Sequence, residues 1–412
     1  MNQDQRNIFL LFTTRITRLF AYGFLSIVLA LYLAKTGLTE AQIGLLFTAT
    51  LIGDAVITLG ITTVADRIGR RKMLILGAFL MALAGIVFVS TRNYWLLIFA
   101  AVVGVISPSG NEIGPFLSIE QAGLTQLIPN ERRTQVFAWY NLAGSFATAL
   151  GALSGGWLTQ VLRVHGWSAL AAYQTVILGY ALAGGVLVLF FILLTPAVEV
   201  KISPAASQTG WRLGLHQSRK IVFKLSALFA LDAFAGGFVI QSLLVYWFHR
   251  RFGLDTGVLG SIFFGANILA GISALLAARI AARIGLIKTM VYTHIPSNIL
   301  LCLVPFMPGA GLAITMLLLR FSISQMDVPT RQSYTMAVVS PDERSAASGI
   351  TAIARSIGAS VSPALAGLLL ATNGLLNAPL LIAGGLKILY DLILYRSFQT
   401  IKPPEERKTR LS

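Results

Sequence analysis

Charge is what this sequence has least of. Only 12% of its 412 residues are Asp, Glu, Lys or Arg, about half the share found in ordinary soluble domains. A water-soluble globule of this length needs far more polar surface, so soluble enzymes and solvated disordered chains are disfavoured. Cysteine is nearly missing as well. Cys302 stands alone, which excludes an internal disulfide and a thiolate metal cluster. The four histidines (His165, His216, His249 and His294) are scattered, with no two in one helix turn, and no metal site is expected. Acidic residues number 16 against 32 basic ones, for a formal net charge of +16. In a soluble protein that excess suggests nucleic acid. Here it fits basic loops held at the cytoplasmic membrane face, and no nucleic-acid partner is expected. No G-x-x-x-x-G-K-[ST] phosphate loop occurs, so ATP drive from this chain is excluded.

What the chain has instead is apolar length. Hydrophobic residues make up 56% of it, the mean hydropathy is +0.76, and the apolar runs are about 20 residues long, enough to cross hydrocarbon roughly 30 Å thick. Such runs fall near 8–34, 41–65, 73–91, 95–122, 134–162, 169–194, 221–248, 256–280, 289–308, 311–338, 346–371 and 377–397. The expected fold is therefore all-α, a multi-pass membrane protein of twelve transmembrane helices. The first run, with Arg6, Arg15 and Arg18 around Ile8–Phe12, reads as a retained span because no small-residue cleavage pattern follows it. With the N-terminus inside, cytoplasmic segments hold 21 of the 32 Lys and Arg, the opposite face holds five and the spans hold six. That asymmetry predicts both termini in the cytoplasm, and the plasma membrane is the expected location.

The stretch after the sixth span, rich in Pro, Ser and Gln, divides the chain. The expected organisation is an N-terminal six-helix bundle over 1–194, a cytoplasmic linker over 195–220, a C-terminal six-helix bundle over 221–398 and a cytoplasmic tail over 399–412. The two halves echo each other. Gly37-Leu38 and Gly253-Leu254 are 216 residues apart, as are Gly69 and Gly285. Pro129-Asn130-Glu131-Arg132 returns as Pro341-Asp342-Glu343-Arg344 after 212 residues, and at that offset Gly155 falls on Gly367. Matches at equivalent topological places predict a parallel six-span repeat, hence two pseudo-symmetric bundles with a transport site near the midplane.

The loop after span two reads Ala65-Asp66-Arg67-Ile68-Gly69-Arg70-Arg71-Lys72. It resembles the G-x-x-x-D-R-x-G-R-R motif of the major facilitator superfamily, with Thr62 where that family has its leading glycine. The resemblance implies a gating role for Asp66, Arg67, Gly69, Arg70 and Arg71. Gly151-Ala152-Leu153-Ser154-Gly155-Gly156 in span five is similar to the G-P-x-x-G-G motif of the family's proton-linked antiporters, with Ala152 in place of the proline. Gly144, Gly151, Gly155 and Gly156 are also the small residues that let membrane helices approach closely, and packing alone explains them as well. Gly114-Pro115-Phe116 through Arg133 matches the superfamily's end of span four. The resemblance implies the major facilitator fold, secondary transport without a cofactor, and a small-molecule substrate handled by a monomer.

Ionisable residues inside spans carry the remaining information, since each costs at least ~2.5 kcal/mol at mid-membrane. Asp54 stands twelve residues before Asp66, ~18 Å along a helix. Glu112 lies seventeen before Pro129, ~25 Å by the same rise. Neither has an opposite charge one turn away in its own span, so both are candidates for proton coupling. Asp327 with Arg331, and Lys387 with Asp391, stand four apart and are expected to neutralise each other. Arg15 and Arg18 are expected either to snorkel to the interface or to face Asp232 as a cytoplasmic gate. Glu120 is matched with Arg331 across the halves, and Arg320 and Arg355 are candidates for holding an anion or a carboxylate. Gly104, Pro108, Gly110, Gly114 and Pro115 should break span four, and Pro329 span ten.

The function this points to is proton-driven secondary transport of a small solute by alternating access, with efflux of a drug-like compound or metabolite placed first. Uptake or facilitated diffusion of an organic anion is the alternative. A non-transporting receptor or an intramembrane enzyme is the reading from another class, and no catalytic His–Glu or Ser–Lys pair supports it.

Overall fold

The computed structural model describes residues 3–112, 114–129, 132–199 and 215–401. The linker over 200–214, the tail from 402, Asn130 and Glu131 lie outside the described residues. Among the described residues, eleven helices are long and apolar enough to cross a membrane, and a shorter one covers Tyr94–Val103. Large apolar side chains point away from the protein all along them, among them Trp95, Val164 and Leu182, each more than 70% exposed. An outer surface of that kind is stable only against lipid.

The spans are not all single helices. The first is α1 (Gln3–Ser26) and α2 (Leu29–Lys35). Next come α3 (Glu40–Ile68) and α4 (Arg70–Ser90), and the fourth span is α5 (Tyr94–Val103) and α6 (Phe116–Leu127). Spans five and six are α7 (Arg133–Val164) and α8 (Ala169–Ile192). The seventh is α9 (Arg219–Gly237) with α10 (Gln241–Phe252), followed by α11 (Thr256–Ile284) and α12 (Leu286–Leu303). The tenth is α13 (Ala310–Ser324) with α14 (Asp327–Ala337), and α15 (Arg344–Ala371) and α16 (Ala378–Phe398) complete the chain. Breaks thus fall in the first and fourth span of each half, an internal symmetry that the glycine and proline pattern signalled only for spans four and ten. In span ten the break precedes Pro329, which sits in the first turn of α14, where its missing N–H costs nothing. Pro296 and Pro363 lie inside α12 and α15 without ending them.

Local chemistry sets many helix starts. Thr39 and Gln42 form a capping box at α3, Asn93 accepts from the Trp95 and Leu96 amides at α5, and Ser168 accepts from Ala171 at α8. Gly69 (φ 118°) and Gly285 (φ 90°) make the equivalent turns between spans two and three and between eight and nine. Only glycine enters that region freely.

Two compact units result: Met1–Ser203 with Ile240–Asn267, and Pro204–Val239 with Ile268–Ser412. In the first, α1 packs along α7 and α4 along α8. Glycines make the first contact close. A methyl on Gly151 would run into the Phe20 carbonyl, and one on Gly155 into that of Phe24. Gly156 lies against the Gly260 backbone of α11. The second helix of span seven, α10, belongs to this unit, where Ser242 donates to the Ser26 carbonyl at 2.8 Å and its amide to that of Pro108 at 3.0 Å. In the second unit the equivalent pairs recur, α9 with α15 and α12 with α16. Gly358 meets the Ala230 backbone and Gly384 that of Asn298.

Candidate functional site

Each unit buries its own cluster of charges. In the first, Arg18 is fully buried. It holds Glu120 through two nitrogens at 2.7 and 2.8 Å and Glu112 through Nε at 2.9 Å. Arg15 reaches the second oxygen of Glu112 at 2.8 Å, the Tyr140 carbonyl at 2.9 Å and Asn141 at 3.1 Å. Thr14 donates to Glu120 at 2.9 Å, and the Tyr140 hydroxyl donates to it too. The guanidinium of Arg15 lies 4.3 Å from the Tyr140 ring centre and that of Arg18 lies 4.6 Å from that of Phe116. Two cations and two anions balance here, and almost every donor has an acceptor. Such a net is rigid and dry.

This geometry departs from three expectations. Arg15 and Arg18 do not snorkel; they turn inward to the carboxylates, which lie on α6 and in the irregular stretch between α5 and α6. Glu112 is therefore not a lone carboxylate: the break in span four carries it to two arginines that no same-helix spacing could reveal. Glu120 takes its partners from α1 and α7 in its own unit rather than from Arg331. Asp54, by contrast, makes no ion pair among the described residues. It accepts the Gly114 amide and, at 3.3 Å, the Thr58 hydroxyl. Its carboxylate thus receives a backbone donor that the broken fourth span leaves open at a positive-φ glycine.

The second cluster centres on Asp232 of α9, which is 3% exposed. Lys387 Nζ stands 2.5 Å from one oxygen, and Arg331 and Arg355 stand 3.1 and 3.3 Å from the other. Arg331 also meets Asp327 at 2.9 Å. The one-turn spacing of Lys387 and Asp391 misled: Lys387 goes to Asp232, whereas Asp391 receives His294 Nδ1 at 2.9 Å and Asn298 at 3.4 Å. The expected gate between Asp232 and Arg15 or Arg18 has no basis in these pairings, because all three side chains are taken within their own units. Arg320, 8% exposed, has no hydrogen-bond partner at Nε, and neither does the Ser324 hydroxyl one turn on. His294 was missed in the sequence. It becomes part of the site only because α12 packs on α16.

The loop after span two is built differently. The side chains of Asp66 and Arg67 lie outside the described ones. Past Gly69, the amides of Arg70 and Arg71 donate to the two oxygens of Glu199 at 2.7 and 3.1 Å. Arg70 also reaches the Val198 carbonyl at 3.3 Å and Arg71 that of Ile192 at 2.6 Å. Glu199, which no motif marked, thus sits on the positive N-terminal end of α4. The matching start of α9 is held by Glu343. It accepts the Gln217 and Ser218 amides at 2.9 and 2.8 Å and the His216 amide as well. Burial works to raise the pKa of this carboxyl, but the hydrogen bonds from Ser218 and from the backbone amides prevail and hold it down at about 2.

No group of three or more His, Cys, Asp or Glu that could hold a metal occurs among the described residues. Two balanced or nearly balanced nets of buried ions in a helical membrane protein suit a carrier of solutes. The comparison with known families decides the point: the model of the Major Facilitator Superfamily matches residues 11–363 and 251–411. The chain belongs to the Major Facilitator Superfamily.

As a member, it is a membrane transporter rather than an enzyme, with the superfamily's twelve helices in two pseudo-symmetric six-helix bundles. It is 31% identical over 418 residues to the uncharacterized membrane protein YJR124C of Saccharomyces cerevisiae, covering 94% of this chain and 93% of that one. It is 26% identical over 159 residues to the quinolone resistance protein NorA of Staphylococcus aureus, covering 38% of this chain and 37% of NorA. A crystal structure of a variant of the nucleoside transporter NupG superposes with a TM-score of 0.76 at 14% identity, over 96% of this chain and 100% of that one. At that identity the likeness speaks for the fold alone.

Proposed function

We propose that this transporter carries a small organic anion across the plasma membrane by alternating access, driven by a proton gradient, with both termini in the cytoplasm. Arg320 carries the reading. It is buried and its Nε has no partner, and it gives the cluster one more cation than anions: Lys387, Arg331, Arg355 and Arg320 stand against Asp232, Asp327 and Asp391. A buried guanidinium left unpaired costs several kcal/mol. A carboxylate or phosphate on the solute supplies the missing acceptors in a planar, two-toothed geometry that arginine matches. The sequence placed this reading second. The charge surplus moves it to first.

The test is uptake into proteoliposomes of radiolabelled carboxylates and organic phosphates, against neutral and cationic solutes, under an imposed pH gradient. Arg320→Gln should lower anion uptake by about tenfold or more, the loss expected from one charge-assisted hydrogen bond of at least ~1.5 kcal/mol. Accumulation of only neutral or cationic solutes, unchanged in Arg320→Gln, would refute it. Export of a drug-like compound is the second reading, favoured by the match to NorA over 159 residues. Dye and quinolone efflux from cells making the protein addresses it.

A further inference from the structure

We propose that His294 and Asp391 hold one exchangeable proton between them, and that this buried pair is where a pH gradient acts on the carrier. The proposal rests on the transport reading for its purpose but not for its chemistry.

The argument is one of partners. Among the described residues, Asp327 and Asp232 each have a permanent cation within 3.1 Å, and Asp232 has three within 3.3 Å. Asp391 has none within ion-pair reach. Its carboxylate is fully buried and meets only the imidazole of His294, at 2.9 and 3.0 Å, and the amide of Asn298. A carboxylate buried without a fixed cation is costly. Here a proton on the pair removes the cost, as imidazolium facing carboxylate. Histidine is the side chain whose own proton comes and goes near neutral pH. Asp232 from α9 and Lys387 with Tyr390 from α16 stand nearest the pair, and through Asp232 it adjoins Arg331 with Asp327 of α14 and Arg355 of α15. The Tyr390 ring stands edge-on to the imidazole, 6.0 Å between centres.

The far nitrogen of His294 links the proton to Arg355, a cation that joins Arg320 in meeting the solute's anion. Nε2 lies 4.0 Å from Asp232 Oδ1, the carboxylate that otherwise engages Lys387, Arg331 and Arg355. Charging the ring adds a fourth cation to that one carboxylate and weakens its hold on the others. Arg355 is the cation with most to lose, since its bond is long and its side chain is 36% exposed. Released, it is free to receive an anionic group. Proton and anion therefore favour each other's binding, and the coupling is reciprocal by linkage. When the proton departs to solvent, the ring becomes neutral, Asp232 recovers Arg355 and the anion site weakens.

The experiment needs no solute. The full chain, labelled with 15N-histidine and reconstituted in liposomes, is titrated by solid-state NMR between about pH 5 and 9, a range that brackets the ordinary imidazole transition. Loss of one of the four histidine signals in His294→Gln assigns its resonance. In the parent protein the His294 ring should be charged in the lower part of the range and neutral at the top. In Asp391→Asn the transition should move by about one pH unit or more, leaving the ring neutral where the parent's is charged. Asp391→Glu, which restores a carboxylate, should return it toward the parent. Unmoved signals from His165, His216 and His249 certify the fold in each variant. A ring that stays neutral throughout in the parent, or an identical transition in Asp391→Asn, overturns the proposal. Anion uptake that fails in the parent while the His294 titration behaves as described would instead refute the transport reading and leave the proton site standing.

Discussion

Replacing Arg18 by methionine tests whether the charge net of the first unit is as tightly bound as its distances say. Methionine keeps most of the apolar stem and removes the charge. The substitution leaves Glu120, fully buried, with only the hydroxyls of Thr14 and Tyr140, and leaves Glu112 with Arg15 alone. Breaking a buried pair by removing one partner costs about 3–5 kcal/mol, because the charge that stays behind is uncompensated. Since Arg18 serves two carboxylates, the upper part of that range applies. Neutralising the abandoned partner as well should recover much of the loss. The double variant Arg18→Met/Glu120→Gln is expected to be more stable than Arg18→Met by at least ~1–2 kcal/mol, although each single change destabilises. The assay is reversible unfolding in mixed micelles, or the midpoint of thermal unfolding in detergent, on all four corners of the cycle. A loss under about 1 kcal/mol in Arg18→Met, or additive effects in the double variant, would show that the net carries no such energy and that the pairing argument is wrong.

Gly151→Ala should destabilise by about 1–3 kcal/mol, because its methyl meets the Phe20 carbonyl on α1. Gly185→Ala, where a Cβ meets nothing, should be neutral or slightly stabilising in the same unfolding assay. Asp54→Leu should cost about 1–3 kcal/mol by orphaning the Gly114 amide, whereas Asp54→Asn, which keeps an acceptor, should cost less. Glu199→Gln should loosen the start of α4 by about 0.3–1 kcal/mol, read as faster hydrogen exchange at the Arg70 and Arg71 amides. Glu343 predicts a pH dependence at the other end of the fold. Its carboxyl titrates at about 2 in the folded protein against an ordinary value of 4.5. Its contribution is therefore complete above pH 4.5 and is lost as pH falls toward 2. The protection of the amides at residues 216–218 against hydrogen exchange, relative to the intrinsic rate at each pH, should fall across that window, and Glu343→Gln should remove the pH dependence.

The sequence by itself determined the number of spans, their order and the two-fold repeat. Each of these depends on properties summed along one segment: apolar length, and turn residues such as Gly69 and Gly285 that recur at one spacing. The family was legible for the same reason, since its motifs are contiguous. The partners of the buried ions were not. Within one helix, spacing finds Asp327 with Arg331, but the same rule pairs Lys387 with Asp391, and both of those side chains turn to other helices instead. Arg18 with Glu120, Asp391 with His294 and Glu199 with the start of α4 join residues about a hundred positions apart. Only the packing of α1 on α6 and of α12 on α16 brings the first two pairs together. A buried charge takes whichever partner the neighbouring backbone delivers within about 3 Å, and that choice exists only once the helices are assembled.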